Sequence, residues 1–471
     1  MSVDAVVVGA GPNGLTAAIT LAAAGRSVVV LEQADEVGGA ARTAELTLPG
    51  FAHDIGAAVM PLGFASPAWR DLPLGEHGLE WIAPEVEFGH PLDGGRAAIA
   101  YRDVERTATG LGADADRYRR MAGRMAVDWA RLEPAVLGPL LSIPRHPVAL
   151  ARFGMKALLP ATTFLRGAED DLYPALFAGC AAHGILPLTR PMTTSFGLLF
   201  VALAHTTGWR YPRGGAGTLS RALAGYLRSV GGEIRLSHEV RTWSDLPDHR
   251  VAIFTTGPPA LAAIAGDRLP DRLMRTFTRW SYGPGAFKVD YALDGPIPWA
   301  DPRLEVAGTV HVGGTLAEVT AAEQQVADGS HPEQPFVLVA QPTAGDPSRA
   351  PEGKHIAWAY CHVPNGSTVD MTGPIEAQLE RFAPGFRDRV LAKATTSPAG
   401  LEATNPNLVG GDVGGGSHGG LQLILRPSLS LDPYRITDEI YLGSASTPPG
   451  GGVHGINGYR AAQSALDGPL R

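Results

Sequence analysis

The amino-terminal residues alternate between short apolar runs and polar or glycine-rich turns. Ala5 to Val8 form an apolar run, residues 9–14 are rich in glycine, and residues 15–24 carry a helical pattern of apolar positions. A second apolar run, Ser27 to Leu31, ends at Glu32. Short apolar runs bounded by turn residues are typical of buried strands in a parallel sheet. The pattern therefore predicts strand, glycine turn, helix and strand, in that order.

The glycine turn has the spacing of a dinucleotide-binding site. Gly9 permits the tight turn, Gly11 lets backbone N–H groups approach a pyrophosphate, and Gly14 lets the helix pack on the strand. The amino-terminus of the helix then faces the anion. Glu32, eighteen residues past Gly14, is placed to accept hydrogen bonds from a ribose.

The carboxyl-terminal part repeats this order. Residues 439–442 read as a strand, residues 443–455 as a glycine-rich loop, and residues from about 455 to 466 as a helix. A helix that begins at this loop would stabilise negative charge on a ligand. Between the two ends, the glycine motif of residues 211–219 precedes a predicted helix to Val230 and a predicted strand over 233–240.

Composition narrows the class of protein. The chain has 471 residues, 45% of them hydrophobic and 18% charged, with a net charge of -8. This length favours two lobes, and this balance argues against disorder and against a nucleic-acid partner. Cys180 and Cys361 lie far apart, so no disulfide framework, redox pair or cysteine zinc site is expected. No metal site is predicted.

The expected location is the cytoplasm, because there is no signal-peptide pattern and no apolar run long enough to span a membrane. One segment leaves an alternative open. Residues 134–165 are apolar, interrupted by prolines and dotted with basic residues. They are either an ordinary lid or core, or a helix pair in peripheral contact with a membrane surface.

A second glycine pair, Gly38-Gly39, is followed closely by Arg42. The extended order of glycine motif, acid, glycine pair and arginine resembles the FAD-dependent superfamily of amine oxidases and carotenoid (phytoene) desaturases. The closing motif PPGGGVHGINGYRAA, which begins at Pro448, is most similar to the phytoene-dehydrogenase-like NAD(P)/FAD-dependent oxidoreductases. The resemblance implies FAD at this site, with Arg42 beside the pyrophosphate and Val240 beside the adenine.

The FAD is expected to be non-covalent, since no cysteine lies near the closing loop. Many relatives carry an acid where this chain has Ala445, so contacts there fall to the backbone or to the neighbouring serines. The residues assigned to the cofactor by the motifs and the resemblance are Gly9, Gly11, Pro12, Asn13, Gly14, Glu32, Gln33, Gly39, Ala40, Arg42, Val240, Gly443, Ser444, Ser446, Gly452, Val453 and Gly455.

Two residues are candidates for catalysis. Lys288 stands in an alternating strand, residues 285–293, where the resemblance to amine oxidases implies a lysine that reaches flavin N5 through water. The alternative is a strand lysine with its head in solvent. His454 lies in the closing loop and either binds flavin or substrate, or packs the loop. Candidates for the substrate wall, each otherwise a core residue, are Trp209, Tyr211, Trp358, Tyr360 and His418.

No second strand-GxGxxG-helix unit is present, so electrons are expected to come from the substrate rather than from a bound nicotinamide. The leading hypothesis is an FAD-dependent dehydrogenase or desaturase of a lipophilic small molecule, with oxygen or a quinone as the electron acceptor. The alternatives are a flavin amine oxidase, and an FAD-binding interaction protein with little turnover.

The expected fold is α/β, with a discontinuous Rossmann-like FAD lobe of the glutathione-reductase type and an inserted α+β substrate lobe. The expected segments are 1–103, 213–265 and 395–471 for the FAD lobe, 104–212 for a helical insert, and 266–394 for a mixed-sheet substrate lobe.

Overall fold

The structure is a computed structural model that describes residues 2–139, 143–420 and 422–471. Its strands are β1 (Val3–Val8), β2 (Val28–Leu31), β3 (Thr43–Glu45), β4 (Ala52–Asp54), β5 (Trp81–Ile82), β6 (Phe88–Leu92), β7 (Arg96–Ala100), β8 (Tyr211–Pro212), β9 (Glu233–Arg235), β10 (His249–Phe254), β11 (Gly285–Leu293), β12 (Thr309–Val312), β13 (Val337–Ala340), β14 (His355–Val363), β15 (Val390–Thr396) and β16 (Ile440–Leu442). Its helices are α1 (Pro12–Ala23), α2 (Pro61–Phe64), α3 (Val104–Thr109), α4 (Ala115–Val136), α5 (Pro147–Ala157), α6 (Ala161–Phe164), α7 (Leu172–Ala182), α8 (Thr193–Thr206), α9 (Ala216–Ser229), α10 (Pro258–Ala265), α11 (Asp271–Thr278), α12 (Leu316–Ala327), α13 (Thr372–Phe382), α14 (Pro398–Thr404), α15 (Gln422–Leu425) and α16 (Ile456–Asp467).

A five-stranded parallel sheet forms the nucleotide lobe, in the order β16-β10-β1-β2-β9. Its central strands are buried on both faces, which is why they read as continuous apolar runs. The strands come from the beginning, the middle and the end of the chain, as expected for a discontinuous lobe. The predicted α/β class with a Rossmann-like core is therefore confirmed.

Two glycines let the helices of this lobe pack closely. A Cβ on Gly14 would lie 1.9 Å from the carbonyl oxygen of Gly9, and a Cβ on Gly458 would lie 1.8 Å from that of Asn13. These distances leave no room for a side chain. Helices α1 and α16 thus bring the opening and closing motifs of the sequence to the same end of the sheet.

A seven-stranded mixed sheet forms the second lobe, in the order β15-β11-β14-β13-β12-β6-β7. Residues 88–100 lie in this sheet, although we expected them in the first FAD segment, because β6 pairs with β12 through Gly89 and Val310 and then forms a hairpin with β7. The helices between residues 104 and 206 pack mainly on one another, with α8 against α4, α5 and α7.

The strand predicted over 233–240 ends early. Strand β9 stops at Arg235, and the next residues turn back, so that Ser237 N–H donates to Ala34 and His238 N–H donates to Glu32. The chain therefore crosses the carboxyl end of β2 at this point. Within the described ranges, no helix is long and apolar enough to cross a membrane.

Candidate functional site

One cavity of about 910 Å³ is lined by residues of both lobes. The nucleotide lobe contributes the glycine turn after β1, the end of β2 and the loop before α16. The second lobe contributes residues of β11, β13 and β14. Ligand pockets of α/β proteins form at the carboxyl ends of parallel strands, where this cavity begins.

Most of the residues that the sequence nominated line this cavity. The predicted cofactor residues among them are Gly9, Gly11, Pro12, Asn13, Glu32, Gln33, Gly39, Ala40, Arg42, Val240, Ser444, Ser446, Gly452 and Val453. The predicted catalytic and wall residues among them are Lys288, His454, Trp209, Trp358, Tyr360 and His418.

Four nominated residues do not line the cavity. Gly14 and Gly443 lie behind it, where they let α1 and α16 approach the sheet. Gly455, with φ +67, caps α16, and a Cβ there would strike Thr16 and Trp69. Tyr211 was expected in the substrate wall. It lies instead in β8, which pairs with β5, and its hydroxyl points toward Gly345.

The glycine turn leaves room for a ligand where the prediction requires it. Gly9 has φ +102, a conformation that glycine adopts without strain. A Cβ built on Gly11 meets none of the described atoms within 4 Å, so space lies open beside the amino-terminus of α1. Both glycine positions therefore fit the pyrophosphate of a dinucleotide.

Glu32 is fixed by the backbone at the end of β2. Its carboxylate accepts hydrogen bonds from the N–H groups of Ala10, at 2.7 Å, and Ala34, at 3.0 Å. The side chain is buried and lines the cavity. An acid held in this position fits a ribose hydroxyl pair, because each carboxylate oxygen keeps a free lone pair.

Arg42 is oriented by its own neighbours. Its guanidinium donates to the carbonyls of Gly39 and Thr404 and forms an ion pair with Glu36 at 3.1 Å. The side chain is largely buried and lines the cavity. These contacts hold the guanidinium in one orientation, and a guanidinium held in this way suits a diphosphate.

The serines of the closing loop bond within the protein. The Ser446 hydroxyl donates to Gly415 O at 2.7 Å, and the Ser444 hydroxyl accepts from Ser446 N–H at 3.3 Å. Ala445 supplies no polar side chain. A ligand at this loop would therefore be met mainly by backbone groups.

One ring nitrogen of His454 lies without a hydrogen-bond partner in the described part of the chain. Its Nδ1 accepts a hydrogen bond from Ile456 N–H at 3.1 Å, so the ring proton belongs on Nε2. Nε2 is buried and has no hydrogen-bond partner among the described residues. Burial lowers the pKa of His454 to about 4. The ring is thus neutral at pH 7, with one donor available at the cavity.

Lys288 lies inside the protein, which excludes the alternative of a lysine head in solvent. Its Nζ donates to Asp290 Oδ2 at 2.6 Å, and both side chains are buried. Nζ also lies 6.0 Å from the ring centroid of Trp358. Burial lowers the pKa of Lys288 and raises the pKa of Asp290 to about 6.

His53 and Asp54 contact the same charged cluster. Asp54 accepts from Ala216 N–H at the start of α9 and forms a buried ion pair with Arg349 at 3.0 Å. The carboxylate of Asp54 thus binds the first N–H group of α9. Burial, followed by the charges of Lys288 and Arg349, lowers the pKa of His53 to about 3.

Comparisons with known proteins agree with a nucleotide-binding site in this lobe. The family model of the NAD(P)-binding Rossmann-like domain matches residues 7–72. Pyridine nucleotide-disulfide oxidoreductase domain-containing protein 2 of Rattus norvegicus is 26% identical, over 98% of this chain and 92% of that protein. Phytoene dehydrogenase of Streptomyces griseus is 28% identical, over 82% of this chain and 77% of that protein.

A solved structure of putrescine oxidase bound to putrescine shares the fold, with a TM-score of 0.63, 20% identity and coverage of 99% of each chain. The chain thus resembles phytoene dehydrogenases and desaturases in sequence and shares the fold of an amine oxidase. The resemblance read from the sequence motifs is confirmed. The relatives of this chain support the predicted oxidoreductase activity. They also support a flavin or nucleotide cofactor.

One part of the cavity wall, on α8, was not predicted from the sequence. Phe196, Leu199 and Phe200 follow one face of α8 and line the cavity. His183 packs on Phe200 with ring centroids 4.5 Å apart. Their spacing of three and four residues is a detectable signal, but it is the same for any buried helix. Sequence alone therefore could not separate these residues from core.

Proposed function

We propose that this protein is an FAD-dependent dehydrogenase that removes two hydrogens from a lipophilic small molecule. The observation that carries the proposal is the continuity of one cavity between a dinucleotide-type glycine turn and an apolar wall that holds a buried lysine. Bound FAD would supply a hydride acceptor. The glycine turn, Glu32 and Arg42 would hold its phosphates and ribose, and the closing loop would meet its flavin end.

The chain's own residues would position the substrate and exclude water. Trp209, Phe200 and Trp358 present apolar surface, which suits a substrate without charge. His454 would donate one hydrogen bond from Nε2. Lys288 would hold a proton close to the reacting atoms, since it lines the cavity and is screened from solvent. The electron acceptor in this proposal is oxygen or a quinone.

Amine oxidation is the second candidate, raised by the fold shared with putrescine oxidase. In this reaction Trp358 and Tyr360, on the cavity wall, would have to hold the amine between them. Their ring centroids are 5.0 Å apart with the planes inclined at 68°. Two rings in edge-to-face contact leave no slot between them for an amine. This arrangement therefore favours an apolar substrate over an amine held between aromatic faces.

Anaerobic reduction of the purified protein tests the proposal. Polyene, acyl-chain and amine candidates are added separately, and loss of the flavin absorbance is followed. Bleaching by a polyene or acyl candidate supports the dehydrogenase. Bleaching by amines alone would overturn it in favour of an amine oxidase, and no bleaching by any candidate would favour an interaction protein that binds FAD without turnover.

Peripheral contact with an anionic membrane surface is part of the proposal. In residues 143–165 of the segment 134–165, the side chains of Ile143, Val148, Met155 and Leu158 are 97%, 70%, 70% and 61% exposed. Residues 143–165 include three arginine or lysine residues and no acid, in a chain whose net charge is -8. Exposed apolar side chains among cations suit an anionic lipid surface. Residues 140–142 of the predicted segment lie outside the described residues.

A further inference from the structure

Two buried polar atoms face each other beside the cavity lysine. Asp290 uses Oδ2 to accept from Lys288, but its Oδ1 has no hydrogen-bond partner among the described residues. His53 Nδ1 is likewise buried without a described partner. The two atoms lie 3.7 Å apart. Leaving both unpaired is costly, so a proton shared between them has a physical advantage.

The other ring nitrogen of His53 lies on the side of the protein surface. Its Nε2 lies 2.8 Å from the hydroxyl oxygen of Thr47, and Thr47 is only half-buried. The loop that follows reaches the exposed residues Pro49 and Gly50. Lys288, Asp290, His53 and Thr47 therefore form a row of proton-carrying groups between the cavity and the surface, with one gap of 3.7 Å between Asp290 and His53.

We propose that this row is a proton-transfer path that connects the cavity with solvent. The proposal rests on the proposed function, because removal of two hydrogens as a hydride and a proton leaves the proton in a buried cavity. Lys288 passes one ammonium proton to Asp290 Oδ2, and its neutral amine takes the proton from the substrate. Rotation of the protonated carboxyl then presents this proton to His53 Nδ1, which accepts it. His53 then releases its Nε2 proton to Thr47 and solvent. Reduction of the acceptor takes up one proton, which enters in the reverse direction and restores the starting tautomer.

The groups around the path suit this role. The pKa of Asp290, raised to about 6 by burial, lies close to neutral pH, where a proton carrier is most effective. His53 is held neutral by burial and by the charges of Lys288 and Arg349, so it passes protons without storing one. Arg349 is in turn neutralised by Asp54 at 3.0 Å. The carboxylate of Asp54 accepts from Thr43 and Ala216 and is not part of the path.

Nuclear magnetic resonance on the purified protein tests the contact between Asp290 and His53 without any turnover. With 15N-labelled histidine, the ring nitrogen signals of His53 are expected to shift with a midpoint near pH 6, as Asp290 titrates. In Asp290→Asn this transition should disappear. A His53 signal that is unchanged between pH 5 and 8, or that shifts identically in Asp290→Asn, would overturn the path. This readout does not depend on FAD, so it fails independently of the proposed function.

Proton release during anaerobic reduction gives the second test, with a pH indicator in weak buffer. His53→Ala should slow proton release at least about tenfold, and added imidazole should restore it, because the imidazole takes the place of the missing ring. His90→Gln is the control, since His90 is a buried histidine bonded to Gly314 outside the path. A folded, flavin-containing His53→Ala protein with unchanged proton release, or with slow release that imidazole does not rescue, would contradict the proposal.

Discussion

Lys288 Nζ lies 2.6 Å from Asp290 Oδ2, and both residues face the same side of β11 because they are two positions apart. A buried pair of this kind is held by mutual attraction against the cost of desolvation. The strand thus keeps an ammonium group at the wall of an otherwise largely apolar cavity.

Replacing Lys288 with methionine should slow flavin reduction or reoxidation at least about tenfold while the FAD content stays intact. Methionine fills a similar space but holds no proton, and Lys288 lies apart from the glycine turn. Stopped-flow absorbance measures both half-reactions. Lys393→Met is the matched control, because Lys393 is an exposed strand lysine paired with Glu376. Unchanged rates in Lys288→Met would remove the lysine from the chemistry.

Two glycines of the same turn should respond differently to alanine. Gly11→Ala should leave unfolding nearly unchanged, because φ is -70° and a Cβ meets no described atom within 4 Å. It should nevertheless weaken FAD binding at least about tenfold, or about 1.4 kcal/mol, by filling the space of the pyrophosphate. Gly14→Ala should instead destabilise the fold, because its Cβ would lie 1.9 Å from Gly9 O.

Urea unfolding of the cofactor-free variants and FAD titration separate these two effects. Equal FAD affinity in Gly11→Ala and the unsubstituted protein would place the pyrophosphate elsewhere. A Gly14→Ala protein as stable as the parent would contradict the close packing of α1 on the glycine turn.

Stability should decrease as the pH falls from 7 to 5. Burial lowers the pKa values of several histidines to about 3 or 4, namely His53, His90, His183, His418 and His454. These rings stay neutral in the folded protein, whereas the unfolded chain protonates them below pH 6.5. The unfolded state then binds more protons, so the free energy of unfolding falls by up to about 1.4 kcal/mol per pH unit for each ring.

The raised pKa values of Asp290, Glu87 and Asp412 stabilise the folded state on acidification and so oppose this effect. Among the described residues these carboxyl groups are fewer than the histidines with lowered pKa values. Urea midpoints at pH 7 and pH 5 measure the balance, and His90→Gln should show a smaller fall than the parent. A midpoint that rises or stays constant on acidification would show that the histidines are not neutral in the folded state.

Binding to anionic vesicles should depend on the exposed apolar face of α5. Val148→Ser combined with Met155→Ser should reduce partition onto vesicles of phosphatidylserine and phosphatidylcholine at least about tenfold, because two apolar side chains no longer enter the lipid. Co-sedimentation measures it. Leu431→Ser is the control, since Leu431 is 82% exposed but lies outside the basic segment. Equal loss in both variants, or no binding by the parent, would contradict the proposed contact.

The sequence predicted the parts of the site that depend on local chemistry. The positions of Gly9, Gly11 and Glu32 follow from one strand-turn-helix-strand unit, and that unit folds as the spacing requires. Lys288 could be nominated from its strand, but its partner could be recognised only once β11 was known to be buried on both faces.

The charged cluster behind Lys288 could not be predicted in the same way. His53, Asp290 and Arg349 come from three distant segments, and their meeting depends on how β4 and the loop before β14 pack against β11. Likewise, Phe196 and Phe200 carry a helical spacing that any core helix would show. Tertiary packing, rather than local pattern, decides which of these residues reach the cavity.

Release and identification of the bound chromophore decide whether this protein carries FAD. The purified protein is denatured without proteolysis, and the released chromophore is identified by absorbance and mass. We predict about one FAD per chain, released in full because the attachment is non-covalent. A protein that carries no flavin and fails to bind added FAD would contradict the account.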